Sequence, residues 1–488
     1  MNRPSLLWFR RDLRLEDHPS LESAIARGEP VIPVYIHTRE DDGDWPPGAA
    51  SRWWLHQALT RLDRLLKTLG CRLTIRRGDP SRELQALIAE TDAAAVYWTR
   101  RYEPSNILRD TSVKEELRNR GIHAESSNGS LLFEPWEIKT KEGRPYQVFT
   151  AFWKACLNAT PPETPDPAPS QLRSPAVWPE SLTIDDLKLL PTIRWDGGLK
   201  SFWDSPTSSV TDELDQFLEA TVFDYGAARN IPAEHGTSRM SPYLHFGEIS
   251  PRVIWHRTRQ AILNSAQGVT VSGADTFLKE IGWREFAYHL LFHFPATVHE
   301  PLRPEFSEFP WLEDETSLTA WQQGQTGYPI VDAGMRELWN TGWMHNRVRM
   351  VAASFLVKQL LQPWQDGAKW FWDTLLDADL ANNSLGWQWV AGCGADAAPY
   401  FRIFNPILQG EKFDPNGTYV RTWVPELSAM PNKWIHRPWQ APTQILVSAS
   451  ITLGTTYPRP CMDPDEGRTR ALMAYDKMKK LTEKNFSR

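Results

Sequence analysis

The chain reads Val31-Ile-Pro-Val-Tyr-Ile-His37, then WWLHQALTRLDRLLKTLG over Trp53–Gly70, then Arg72-Leu-Thr-Ile75. The outer two are short apolar runs of strand length. Between them Leu55, Leu59, Leu62, Leu66 and Leu69 recur every three or four residues up to Gly70, the stripe and stop signal of an amphipathic helix. Strand, helix, strand in this order predicts a βαβ unit with parallel strands. The same alternation extends outward, with candidate strands at Leu6–Phe9, Ala95–Trp98 and Ile122–Glu125. Residues 1–130 are therefore predicted to form a Rossmann-like parallel α/β domain. No G-x-G-x-x-G follows the first strand, so a dinucleotide bound in the usual Rossmann manner is not indicated here.

The 488 residues exceed what one hydrophobic core covers, so two domains are expected. Seven prolines among residues 161–179 stiffen an extended connection, and residues 131–208 are read as an interdomain linker. Beyond about Thr211 the periodicity is helical, with candidate helices at Asp275–Phe294, Gly334–Trp343, His345–Leu361 and Ala368–Leu376. Residues 209–488 are read as a large helical domain. Thr469–Arg488 is a Lys-rich amphipathic candidate, read as a solvated terminal face.

No stretch approaches the ~18 apolar residues of a membrane span, and Ser5–Phe9 is too short for a secretory h-region before Arg10 and Arg11. A cytoplasmic protein is expected. The four cysteines are scattered outside any cluster spacing, which argues against a zinc or iron–sulfur centre. A net charge of -6 leaves nucleic-acid binding to a local basic patch. Tryptophan is abundant, 24 residues in all, ten before residue 209 and fourteen after it, which reads as an aromatic-rich core.

Several groupings bear on chemistry. His289 and His293 stand four apart but lack the Glu of H-E-x-x-H and a third ligand, so a metal site is disfavoured. Gly392-Cys-Gly-Ala-Asp-Ala397 fits G-x-G-x-x-A only loosely and follows a helical stretch. Gly236-Thr-Ser-Arg-Met-Ser-Pro242 offers hydroxyls, backbone amides and one Arg before a helix, which suits a diphosphate as well as a plain helix cap. Asp377, Asp379, Asn382, Asn383, Trp387 and Trp389 crowd polar groups into a core-like region. Two readings of that cluster stand: neutralisation by Arg347 and Arg349, or a bound polar cofactor. Glu280 with Trp283, and Asn346 with Met350, share helical faces and suit either a pocket for a flat hydrogen-bonding ligand or ordinary packing.

Longer motifs add a resemblance. Trp8-Phe-Arg-Arg-Asp-Leu-Arg14, Trp283-Arg-Glu-Phe286, Thr326-Gly-Tyr-Pro-Ile-Val-Asp332, Trp343-Met-His-Asn-Arg347 and Asp396-Ala-Ala-Pro-Tyr-Phe-Arg-Ile-Phe-Asn-Pro406 together resemble the photolyase and cryptochrome family, and most of all bacterial cyclobutane pyrimidine dimer photolyases of class I or class III. The resemblance implies an N-terminal α/β domain, a helical domain holding U-shaped FAD, and UV-damaged DNA as partner. The implied reaction is light-driven: excited reduced flavin gives an electron to the dimer, the ring splits, and the electron returns.

By the same resemblance Tyr225, Thr237, Ser238, Arg239 and Ser241 hold the diphosphate side of FAD, while Asp377 and Asp379, with Arg349, serve its flavin and adenine parts. Asn383 stands beside flavin N5. Glu280, Asn346 and Met350 line the lesion pocket, Trp283 and Trp389 give stacking planes, and Arg347 and Arg402 clamp phosphates. Trp387, Trp364 and Trp311 match an electron-transfer chain. Ser105-Asn106 departs from the Asn-Glu pair of class I folate binders, and Arg100, Arg101, Tyr102 and Glu103 precede it. A class III style methenyltetrahydrofolate antenna is the expectation, ahead of 8-hydroxy-deazaflavin. A cryptochrome photoreceptor is the alternative function, then a (6-4) photolyase, which would place a histidine pair where His345 is followed by Asn346. A monomer is expected.

Overall fold

The computed structural model describes residues 3–38, 43–203, 209–265, 270–397, 399–400 and 402–486. Ala398 and Phe401 of the last family motif, and the last two residues of the chain, lie outside them. Five strands, β1 (Ser5–Phe9), β2 (Val31–His37), β3 (Thr74–Arg77), β4 (Ala95–Thr99) and β5 (His123–Ser127), form one parallel sheet in the order β3-β2-β1-β4-β5. The central strands β1, β2 and β4 are buried along their whole length, as a sheet covered by helices on both faces requires. The edge strands run one or two residues later than the apolar pattern predicts. At an edge, polar residues such as Arg76 and Arg77 can continue the ladder, here opposite Ile36 and His37 of β2.

One apolar cluster, holding Phe9, Trp54 and Leu59 of the α/β part, continues into Leu214, Phe277 and Phe286 of the helical part. Polar contacts reinforce that seam. Arg14 donates to Gly247 O (3.0 Å) and Gly129 O (2.6 Å), and Leu13 N–H donates to Phe246 O at 3.1 Å. The charged Trp8–Arg14 motif is thus buried because it joins the two parts.

The helical part is built on Ser272–His293, Pro329–Thr341, Asn346–Ser354, Trp364–Thr374 and Leu380–Ala391. The single helix expected over His345–Leu361 ends at Ser354 and passes into a π-helical turn, Phe355–Gln359. There Lys358 is buried and donates to Ala391 O and Tyr400 O.

The terminal helix keeps its Lys-rich face exposed, as expected, and buries the other. It spans Pro464–Phe486, buries Ala471 and Met478, and stacks Tyr475 on Tyr400 with ring centroids 4.5 Å apart. The residues between the two parts are equally engaged. They include a helix at Phe149–Asn158, and the proline-rich stretch lies along the α/β part, where Asp166 O and Arg173 O accept from Asp17 N–H and Val31 N–H. Among the described residues no helix is long and apolar enough to cross a membrane.

Candidate functional site

The Ser272–His293 helix carries Glu280 and Trp283 one turn apart. Glu280 forms a part-buried ion pair with Arg229, and the next residue, Asn230, accepts from Arg347 Nη2 at 2.6 Å. Arg347 also lies 3.9 Å from Met350 Sδ and 4.5 Å from the Phe413 ring centre. The turn after Tyr225–Ala228 therefore links Glu280 on one helix to Arg347 and Met350 on another. Asn346 opens the second helix and is exposed. Trp283 is half-buried, and Phe149 covers it face to face, centroids 3.8 Å apart and planes 10° apart.

Arg347 therefore does not neutralise the aspartates. Arg349 does, with a two-pronged pair to Asp377 at 3.1 and 2.8 Å, the fork geometry that suits a carboxylate. Asp379 caps the Leu380–Ala391 helix, accepting from Asn382 N–H at 2.7 Å and Asn382 Nδ2 at 2.6 Å. Burial nevertheless raises its pKa, against the nearby Arg284 and these hydrogen bonds. Asn383 donates to Ala368 O at 3.0 Å, so its amide oxygen remains to accept from a ligand.

Gly236 packs against the Tyr225–Ala228 helix so closely that a Cβ would stand 2.4 Å from Ala228 O. Thr237 and Ser238 are half-buried behind it. Arg239 has φ +53° and lies over the Phe202 and Trp343 rings at 4.8 and 5.3 Å. Ser241 starts a short helix and is exposed. Tyr225 is buried against Phe277 at 5.4 Å with Arg229 over its ring at 5.2 Å; burial raises its pKa.

His345, noted in the sequence only within its motif and against a histidine pair, adds a group that was not among the expected site residues. Its Nδ1 accepts from Arg347 N–H at 3.2 Å, which places the proton of the neutral ring on Nε2. Nε2 is buried with no hydrogen-bond partner among the described residues. Burial first, then Arg347, Arg349, Arg229 and Arg239, pushes its pKa down to about 3, so the ring stays a neutral donor. A buried donor awaiting an acceptor, surrounded by four guanidiniums, fits an anionic dinucleotide with ring carbonyls. These residues match what FAD requires.

The remaining expected residues are more dispersed. Trp387 is buried, with Phe371 at 4.9 Å and Trp321 at 6.1 Å as aromatic partners. Trp364 is buried in the same apolar cluster, and Trp311 and Trp389 pack on it from the side. Trp311 tilts against Phe309 at 4.3 Å. Arg402 is exposed. In the α/β part Arg101 and Glu103 pair at 2.7 Å, and Asn106 is buried. A narrow, open cleft lies at the ends of β1 and β2, lined by Trp8, Arg10, Tyr35, His37 and Phe246 among others.

His289 and His293 are structural. His289 Nε2 accepts from Tyr146 N–H at 3.0 Å and Nδ1 donates to Pro135 O at 3.2 Å, which leaves no lone pair for a metal. His293 Nε2 meets the same carbonyl at 3.0 Å. Arg229, Asn230 and Phe149 were missed because each acts across a long sequence gap. His345 was visible in the Trp343–Arg347 motif, where its position before a helix was the available signal.

Comparison with known proteins shows the family. Residues 5–170 match the DNA photolyase family and residues 277–477 the FAD binding domain of DNA photolyase. The chain is 48% identical over 480 residues to the deoxyribodipyrimidine photo-lyase of Agrobacterium fabrum, covering 98% of this chain and 99% of that one. It is 42% identical to cryptochrome-2 of Arabidopsis thaliana, over 96% of this chain and 78% of the relative. The crystal structure of a bacterial class III photolyase from Agrobacterium tumefaciens superposes with a TM-score of 0.94 at 47% identity, covering 98% of each chain. The chain belongs to the photolyase and cryptochrome family.

Proposed function

We propose that this chain is a deoxyribodipyrimidine photo-lyase, a light-driven enzyme that splits cyclobutane pyrimidine dimers in UV-damaged DNA. The observation that carries the reading is the linkage of Glu280, Arg229, Asn230, Arg347 and Met350 beside the half-buried Trp283. A carboxyl group, an amide, a thioether and an indole plane there suit a flipped, hydrogen-bonding pair of bases. When bound, reduced FAD supplies the light absorption and the electron that opens the cyclobutane ring.

The protein binds, orients and shields. Arg239, with Thr237, Ser238, Ser241 and Tyr225, holds the diphosphate side of the cofactor. Arg349 and Asp377 fix each other at its flavin and adenine parts, and Asp379 stands with them. Asn383, whose amide nitrogen donates to Ala368 O, would offer its amide oxygen to flavin N5. Asn346 would donate to a pyrimidine carbonyl, and Glu280 would do so when protonated or, as the carboxylate paired with Arg229, accept from a pyrimidine N–H; Met350 would fill the pocket, and Trp283 and Trp389 would stack on the bases. Arg347 and Arg402 would hold flanking phosphates, and Trp387, Trp364 and Trp311 would serve as the electron-transfer residues between the surface and the cofactor.

A second chromophore is part of this reading. The cleft at the ends of β1 and β2 occupies the edge where open α/β sheets take ligands. Trp8 lines it and has a buried indole N–H without an acceptor among the described residues. We assign methenyltetrahydrofolate as antenna, with 8-hydroxy-deazaflavin the alternative, and a monomer working in the bacterial cytoplasm. Chromatography of the ligands released from purified protein tests the antenna: a pterin supports the assignment and a deazaflavin replaces it. Light-dependent restoration of thymine dimers by the reduced protein tests the activity.

A further inference from the structure

Phe149 belongs to the connection between the two parts, yet its ring lies on Trp283 at 3.8 Å and 10°. So close a parallel stack covers one face of the indole. Trp283 remains half-buried while Phe149 is only 7% exposed, so Phe149 is the inner and Trp283 the outer member of the pair.

The inner member is itself fixed from several sides. Phe149 N–H donates to Asp396 Oδ2 at 3.2 Å, and Asp396 has φ +47°. Three residues earlier, Tyr146 N–H donates to His289 on the Trp283 helix. Farther along the Phe149–Asn158 helix, Phe152 tilts on Phe286 at 5.2 Å. Trp153 approaches Gly282 so closely that a Cβ there would stand 2.5 Å from the indole. A short helix of the connection is thus clamped onto the helix that carries Glu280 and Trp283.

We propose that Phe149 is a positioning residue for lesion recognition: it holds the Trp283 indole in one plane, so that the outer face meets the flipped dimer already aligned. The proposal rests on the reading of Trp283 as a stacking plane. An aromatic side chain that must find its orientation on binding loses conformational entropy at that moment; one already stacked does not.

The test compares affinities for a thymine-dimer oligonucleotide and for the same undamaged strand, using FAD-loaded protein. Phe149→Leu is expected to lower the damaged-to-undamaged affinity ratio roughly 3- to 10-fold, the range of one aromatic pair, with FAD content and undamaged-strand affinity unchanged. Phe149→Tyr is expected to keep the ratio, and Phe149→Leu is expected to add nothing in a Trp283→Ala background. If Phe149→Leu does not retain FAD, Phe149→Met, which keeps an unbranched apolar side chain, is read on the same scale. An unchanged ratio in these variants, with Trp283→Ala still lowering it, overturns the proposal and leaves Trp283 in place. An unchanged ratio in Trp283→Ala removes the stacking role and the proposal with it.

Discussion

Arg229 and Glu280 form a part-buried ion pair between a turn and the helix that also carries Trp283. Because Asn230 next to it binds Arg347, one short segment sets the spacing of a carboxylate and a guanidinium carried by two different helices. Glu280→Ala is therefore expected to lower dimer repair per absorbed photon roughly tenfold, the scale of one hydrogen bond to a charged group. FAD content should not change. Action spectra on prereduced protein check this, and an unaltered yield would remove Glu280 from the mechanism.

Arg349 and Asp377 form an ion pair at the place proposed for the cofactor. Asp377→Asn leaves the guanidinium without its carboxylate; since the Arg349 side chain keeps 24% of its exposure, the expected cost is about 1–3 kcal/mol, below that of a fully buried pair. Urea unfolding of the FAD-loaded protein should show it, with weaker retention of FAD. A double-mutant cycle with Arg349→Ala should return a coupling of at least ~1 kcal/mol. Additive effects would contradict the pairing.

Glu285 gives a pH dependence with a definite sign. Its Oε2 accepts from Leu132 N–H at 2.8 Å and Phe133 N–H at 3.2 Å. Burial pushes its pKa up from 4.5 to about 7, against the pull of Arg284 and these amides. Between those two values the folded state binds more protons than the unfolded chain, so this residue's contribution to stability falls as pH rises through that window and is flat above it. Glu285→Gln keeps an acceptor for both amides and removes the ionisation. Its melting temperature should gain on the wild type between about pH 5 and about pH 8, by an amount set by ~1.4 kcal/mol per pKa unit. A difference that shrinks with rising pH would refute the assignment.

Gly367 lies against Trp387, where a Cβ would stand 2.1 Å from indole Cη2. Gly367→Ala should displace that ring and destabilise the protein by about 1–3 kcal/mol, as overpacking does. If Trp387 is the inner member of the electron chain, photoreduction of oxidised FAD should slow in this variant while prereduced protein still repairs bound dimer. Unchanged photoreduction kinetics in a destabilised variant would take Trp387 out of the chain.

The sheet was legible because buried parallel strands must be apolar runs, and β1, β2 and β4 are. That arginine would neutralise the aspartates was legible, since charge and spacing restrict what a buried carboxylate can meet, but Arg347 was named with Arg349 and only Arg349 pairs with Asp377. The Arg229–Glu280 pair spans 51 residues and the Phe149–Trp283 stack more than twice that, distances over which no periodicity speaks. The Lys-rich face of the terminal helix was legible as solvated. Its apolar stripe, Ala471, Ala474 and Met478, buries against the π-helical turn and its neighbours.

The most direct measurement is thymine absorbance near ~260 nm in a dimer-containing oligonucleotide mixed with the reduced, FAD-loaded protein, under blue light and in darkness. Recovery in the light alone is the result expected of a dimer photolyase. No recovery in either condition, with the flavin bound and fully reduced, would contradict it and leave a photoreceptor of the same fold as the better reading.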